Sequence, residues 1–256
     1  MKIAFFDSGI GGLTVMAEAL RLFPNEDYLY FSDALYAPYG SRSPREVKAL
    51  IIDAVDFLAS KNIDILVIAC HTASRLMATK LRSRNYPFKI IEMQAGIAGP
   101  TYLNRNKKNL ICATDLSRKI WKEQLSPTNI KADYLSLQEL VVFAENFEFD
   151  SAELFEYLFL KFATINWDHY HSVVLGCTHF PFFKNQLQSI LPKSVQVIDG
   201  SLATAKKIGK YIQPTPPLST NAMECFISKT SVDTAMILKY LEVLEHSYQP
   251  VSHSSY

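Results

Sequence analysis

Short apolar runs recur along this chain, separated by stretches of helical periodicity. That alternation constrains the fold more than any other feature. The runs fall at 2–6, 28–31, 63–69, 89–91, 109–112, 172–175 and 194–198. Between most of them apolar residues recur at helical spacing, most clearly over 13–23, 44–60, 73–84, 116–125, 152–165, 181–191 and 203–212. Strands alternating with helices predict right-handed crossovers and a mostly parallel sheet covered on both faces, an α/β fold. IDILVIA (63–69) and SVVLG (172–176) are continuous apolar runs, as expected of central strands hidden on both sides.

A two-part echo runs through the pattern. Residues 65–72 (ILVIACHT) and 172–179 (SVVLGCTH) each end an apolar strand in Cys, then Thr and His, and each leads into a predicted helix. The echo predicts two similar α/β halves with a boundary near 92–102. The only proline cluster, 213–218, marks a connection before a last strand and helix at about 224–244, where the chain crosses back to the first half. The expected domains are therefore 1–94 plus 208–256, and 95–207. Ligands of open α/β sheets sit beyond the carboxyl ends of the strands, where both echoed segments lie.

Composition narrows the function classes. With 26 Lys+Arg against 25 Asp+Glu, the net charge of +1 carries no electrostatic footprint for nucleic acid or an anionic membrane. Four widely spaced cysteines in 256 residues do not make a disulfide framework. The start, MKIAFFDSGIGG, reaches Asp7 after four apolar residues, so it reads as a strand of the fold, not a signal peptide or membrane span. A cytoplasmic protein is the natural expectation. The polar tail after Tyr248 is expected to fray.

Three segments could carry chemistry. In 6–14 (FDSGIGGLT), three glycines stand within four residues between a strand and a helix. Such a turn can bring backbone N–H groups and a helix N-terminus onto an anion. Its Gly-x-Gly-Gly spacing does not fit a dinucleotide loop, and the plainer alternative is a tight turn with Ser8 as a cap. In 31–43 (FSDALYAPYGSRS), a loop rich in small hydroxyl residues and tyrosines follows a strand, where ligand groups tend to be placed; Ser43 and Pro44 there read as the cap and first residue of a helix. Third, Cys70 and Cys177 both stand where a strand gives way to a helix, an environment that favours thiolate over thiol. A lone buried cysteine is more often plain packing, but two in matching contexts favour reactive thiolates, as base or nucleophile, over plain packing. Cys112 and Cys225 lie within strand-like runs and read as structural.

DSGIGGLTV, YFSDALYAPYGSRS, VIACHTA and VVLGCTHFP, in this order and at these separations, resemble the glutamate racemases of the aspartate/glutamate racemase superfamily. The resemblance spans residue 2 to about 207. It implies two pseudo-symmetric α/β domains with the active site between them and cofactor-independent interconversion of L- and D-glutamate, which supplies D-glutamate for peptidoglycan. Racemisation removes the α-proton and returns one from the opposite face, so two acid/base groups must flank a carbanion-like intermediate. Cys70 and Cys177 match the family's two bases, Cys70 acting on the D-isomer and Cys177 on the L-isomer. Asp7 and His179 match the residues that assist them. Ser8, Pro38, Tyr39, Gly40, Thr72 and Thr178 match positions that hold the substrate's amino and carboxylate groups, and Glu145 matches an acidic residue lining the second half. No metal or cofactor is implied. The expected partner is the small amino acid, with a homodimer possible.

The chain also departs from the family. Its usual Cys-Asn-Thr reads Cys70-His71-Thr72, which puts His71 among the substrate-binding candidates. A His71 cation would bind carboxylate and lower the Cys70 pKa; otherwise the larger ring would crowd the pocket. The segment 110–117 is shorter than the family's Thr/Ser-rich turn, and 91–96 lacks the common proline. Rival readings are a racemase of another amino acid such as aspartate, and a racemase-like binding protein without turnover. A zinc site of Cys70, His71, Cys177 and His179 lacks the usual ligand spacing, and a thiol–disulfide enzyme would more naturally carry Cys-x-x-Cys. His169, His171, His246 and His253 read as solvated bystanders.

Overall fold

The computed structural model describes residues 1–94, 107–212 and 222–247, with only the backbone described at 40, 78, 246 and 247. The expected boundary at 94/95, the proline cluster 213–218 and the tail with His253 lie outside the described residues.

The first sheet is built from β1 (Lys2–Asp7), β2 (Asp27–Ser32), β3 (Ile65–Ile68) and β4 (Lys89–Glu92), linked by α1 (Leu13–Leu22), α2 (Pro44–Ala59) and α3 (His71–Arg82). The second follows as β5 (Lys108–Ala113), α4 (Asp115–Leu125), β6 (Ala132–Ser136), α5 (Glu139–Glu145), α6 (Ala152–Phe162), β7 (Tyr170–Leu175), α7 (Lys184–Ile190), β8 (Gln196–Ile198) and α8 (Ser201–Ile208). The chain then returns to the first sheet through β9 (Met223–Ile227) and β10 (Thr230–Val232) and ends the described region in α9 (Ala235–Ser247).

The strand orders are β10-β9-β2-β1-β3-β4 and β6-β5-β7-β8. Apart from the antiparallel β9–β10 pair, every neighbour is parallel. The cores β2-β1-β3-β4 and β6-β5-β7-β8 share one order, so β3 and β7 occupy the same place in the two halves. This is the α/β architecture of two pseudo-symmetric units.

Burial explains the continuous apolar runs. Alternate residues of β1 serve different cores: Ile3 and Phe5 face a cluster shared by both halves, while Ala4 and Phe6 face the α2–α3 layer. β3 divides likewise, with Ile65 and Val67 on one side and Leu66 and Ile68 on the other. Each such buried Ile, Leu, Val or Phe side chain contributes roughly 1.5–3 kcal/mol, which secures the register on both faces. α2 begins as its sequence demands, with Pro44 in the first turn and a reciprocal cap between Ser43 and Glu46.

Four local expectations change. β6 and α5 were absent from the pattern, because every residue of β6 is half-buried and α5 has only seven residues. The predicted helix 181–191 begins as a 3-10 turn at Phe180–Phe183, becoming α-helical at Lys184. The last strand is a hairpin, β9–β10, not a single strand.

Candidate active site

Both echoed strand ends open onto one small cavity between the halves. Cys70 is the N-cap residue of α3, directly beyond β3, and Cys177 follows β7 and Gly176. Both line the cavity. Ser8, Pro38, Tyr39, His71, Thr72, Thr178 and His179 line it with them, as do Thr114, Ser117 and Val141, which the sequence did not single out. Gly40 follows Tyr39 in a 3-10 turn, and Asp7 is not among the lining residues. The cavity measures about 20 Å³, room for about one water and less than an amino acid occupies.

The glycine turn meets the second half closely. A Cβ at Gly9 would stand 1.9 Å from Glu145 Oε1, and one at Gly11 2.5 Å from His179 Nδ1. No described glycine has a positive φ, so closeness, not an unusual backbone, demands glycine here. The expected anion-binding capacity is real, but its occupants are the protein's own carboxylates. The Ile10 N–H donates to Glu145 Oε1 at 2.9 Å and the Gly9 N–H to Asp7 Oδ1 at 3.1 Å. Ser8 has no helix to cap, since Gly12 is the N-cap of α1; its hydroxyl donates to Asp7 and lies 3.8 Å from the Cys70 sulfur.

Two polar chains reach the cysteines. On the Cys70 side, Asp7 is completely buried and accepts the Thr178 hydroxyl at 2.9 Å across the seam. Burial raises its pKa above the usual value against the pull of His179, Thr178 and Gly9. On the Cys177 side, His179 Nδ1 lies 3.7 Å from the sulfur and Nε2 lies 2.7 Å from Glu145 Oε1. Burial alone would lower the His179 pKa, but its bonds to Cys177 and Glu145 and their charges outweigh it and hold the imidazolium well above the usual range. Glu145 is held below its usual value: burial works against this, and the His179 bond and charge prevail.

Cys70 differs from expectation. The helix N-terminus does donate, through the Ala73 N–H, but burial and the Asp7 charge outweigh it and push the thiol up. Cys177 also departs, since a 3-10 turn and not an α-helix follows it. Cys112 and Cys225 are buried in the shared core, as a structural reading requires.

His71 is not a cation. Burial, reinforced by the Arg75 charge, lowers its pKa to about 3. Its ring packs at 5.9 Å against Trp121 of the second half. Neither of its nitrogens has a hydrogen-bond partner, and the hydroxyl of Thr114, also on the cavity wall, has none. Buried polar atoms normally find partners, so a polar occupant of the cavity would satisfy them. Thr72 and Ser117 face each other across the seam, hydroxyl to hydroxyl at 2.8 Å. Among the described residues no group of three or more His, Cys, Asp or Glu is arranged to hold a metal ion, and no helix is long and apolar enough to cross a membrane.

Two pseudo-symmetric α/β halves, with a cysteine at the same strand end of each lining one small cavity, carry the arrangement that a two-base racemase requires. No family model matches the chain. It is 39% identical over 254 residues to glutamate racemase 2 of Bacillus subtilis, covering 96% of each chain. It is 36% identical over 252 residues to the glutamate racemase of Halothermothrix orenii, covering 96% of this chain and 99% of that one. Its fold matches the crystal structure of glutamate racemase from Campylobacter jejuni with a TM-score of 0.81, at 24% identity over 98% of this chain and 100% of that one. The chain belongs to the glutamate racemase family.

Proposed function

We propose that this chain interconverts L- and D-glutamate by cofactor-independent two-base proton transfer, with Cys70 and Cys177 as the two bases. The carrying observation is that the two thiols reach one cavity from matching strand ends of opposite halves. Glutamate is favoured over aspartate because relatives 36–39% identical over nearly the whole chain are glutamate racemases.

For L-glutamate, the Cys177 thiolate takes the α-proton, leaving the electron pair on a planar carbanion, and the Cys70 thiol delivers its proton to the opposite face. The elevated Cys70 pKa supports this direction, because Cys70 rests as the thiol, ready to donate. The enzyme is then left with Cys70 as thiolate and Cys177 as thiol, the form that acts on D-glutamate. His179 assists Cys177, with Glu145 orienting its imidazolium; Asp7 assists Cys70 through Ser8. Ser8, Thr72, Thr178, His71 and the Pro38–Tyr39–Gly40 turn hold the amino and carboxylate groups. Neutral His71 has one N–H to donate, and with the Thr114 hydroxyl it suits a carboxylate oxygen.

The domain assignment is 1–94 plus 208–256 and 95–207, supported by the return of β9 and β10 to the first sheet. D-glutamate made here would enter peptidoglycan synthesis, and a cytoplasmic enzyme is the reading that role supports. A homodimer is supported by the apolar side chains that α6 leaves exposed, Phe159 at 67% and Leu160 at 66%.

The test is exchange of the glutamate α-proton in deuterated water without pyridoxal phosphate. Cys70→Ser and Cys177→Ser should each lose racemisation by at least about 10²-fold, the lower range for a positioned acid or base. Undiminished turnover in either variant would sink the assignment, while absence of exchange in the wild type would favour a binding protein.

A further inference from the structure

The return of the chain to the first sheet delivers one hydroxyl to the loop that forms the cavity wall. β9 pairs in parallel with β2, opposing Ile227 to Ser32, and the hairpin turn that follows places Ser228 and Lys229 in the left-handed region, with φ of 43° and 74°. Ser228 makes three bonds to the end of β2 and the loop that follows it. Its N–H donates to Ser32 O at 2.8 Å, its hydroxyl donates to Asp33 Oδ1 at 3.2 Å, and that hydroxyl accepts the Leu35 N–H at 3.1 Å. The other oxygen of Asp33, Oδ2, accepts the Tyr39 hydroxyl at 2.6 Å. Asp33 and Tyr39 are 4% and 1% exposed, and Tyr39 lines the cavity.

Tyr39 therefore does not offer its hydroxyl to the cavity: that group is committed to Asp33. What Tyr39 presents is its ring and the backbone of the Pro38–Gly40 turn, whose position depends on how firmly the ring is held. A carboxylate flanked by two hydroxyl donors is a stiff clamp, and one of the two comes from a residue nearly two hundred positions away in the chain. We propose that Ser228 is a positioning residue, which acts through Asp33 and Tyr39 to hold the substrate-facing turn in its binding geometry. This rests on the reading of that turn as a glutamate-binding element.

Ser228→Gly tests the brace, because glycine accepts the left-handed backbone and removes only the hydroxyl. KM for both glutamate isomers should rise about tenfold, the loss expected for a hydrogen bond to a charged group, with kcat within about twofold. The Kd for glutamate by calorimetry should weaken in parallel. Tyr39→Phe should produce a similar change, and the double variant should be no worse than either alone. Ser228→Asn, which tolerates the left-handed backbone and keeps both donor and acceptor, should recover most of the lost affinity. Unchanged Kd in Ser228→Gly, effects that multiply in the double variant, or no recovery with Asn would each overturn the brace. Weakened Kd in a protein without turnover would keep the brace and overturn racemisation instead.

Discussion

Adding a single methyl at Gly11 should disable proton handling at Cys177 without touching the cysteine. A Cβ there would lie 2.5 Å from both His179 Nδ1 and Thr178 Oγ1 and 2.8 Å from His179 Cε1. Ordinary contact begins near 3.5 Å, so about 1 Å of movement is needed. The turn itself is poorly placed to yield. Gly11 O accepts both the Thr14 hydroxyl and the Thr14 N–H, and the Tyr30 hydroxyl holds Gly9 O at 2.7 Å. His179 must move, and a shift of about 1 Å carries its 2.7 Å bond to Glu145 beyond hydrogen-bond range. Losing a charge-assisted bond of this kind costs roughly 1.5–3 kcal/mol, and misplacing a reacting group by this distance costs about 10²-fold in rate.

Gly11→Ala should accordingly lower kcat about 10²-fold, measured by the change in optical rotation of either glutamate isomer. Its melting temperature should fall by roughly 4–8 °C, taking about 2 kcal/mol in a chain of this size. Gly209→Ala is the control. Its backbone is helical, with φ −56°, and the nearest atom to the new methyl is the tip of the Phe23 ring at 3.2 Å. It should retain full activity and stay within about 1 kcal/mol of wild type. A Gly11→Ala protein with kcat within twofold of wild type and an unchanged melting temperature would refute the close approach of the two halves at this turn.

Two further outcomes follow from the charge states. His71→Leu should raise KM for glutamate about tenfold by removing the only N–H the ring can offer, whereas His71→Asn should retain turnover; because the pKa of His71 is about 3, its replacement should leave the pH dependence of KM between pH 5 and 8 unchanged. For stability, Glu145 is held below the usual 4.5, so its contribution is present above that value and is lost as the pH falls through the lower folded value. His179 is held above the usual 6.5, so its contribution is full below 6.5 and is lost as the pH rises through the higher folded value. Buried Asp7, raised by its surroundings, acts in the opposite sense to Glu145 on the acid side. Melting curves should show the wild-type advantage over Glu145→Gln at its greatest between about pH 4.5 and 6.5 and declining on both sides; a constant difference across pH would refute the ion pair.

The parts of this site that sequence made legible are those where chemistry and backbone position coincide. Cys70 and Cys177 close continuous apolar strands, and topology then places those strands equivalently, so the echo in the sequence becomes an echo in space. Thr114 and Ser117 occupy the matching strand end after β5, but Thr and Ser are common at helix starts, and nothing in their spacing separates a cap from a cavity wall. Val141 lies on α5, an element too short to show a period. Ser228 was beyond reach for another reason. Its partners are fixed by the pairing of β9 with β2, a contact made across most of the chain, and local pattern carries no register for such a pair. The glycine turn was legible as a site of close approach to an anion, while which anion approached depended on the second half folding against it.

The same bonds that close the seam also orient the groups proposed to move protons. Thr178 to Asp7, Ile10 to Glu145 and Thr72 to Ser117 all cross between the halves. In the proposed mechanism Asp7 assists Cys70 and Glu145 orients His179, so any parting of the halves would unseat Asp7 from Thr178 and Glu145 from the glycine turn together. Such an open form would lack aligned assistants for either proposed base. Closure over the substrate would restore both at once and, in so small a space, would exclude solvent from the carbanion. Under the proposed two-base scheme a proton taken by one cysteine would then be replaced only from the other. On that scheme inversion, and not mere exchange with solvent, depends on the closed seam as much as on the two thiols.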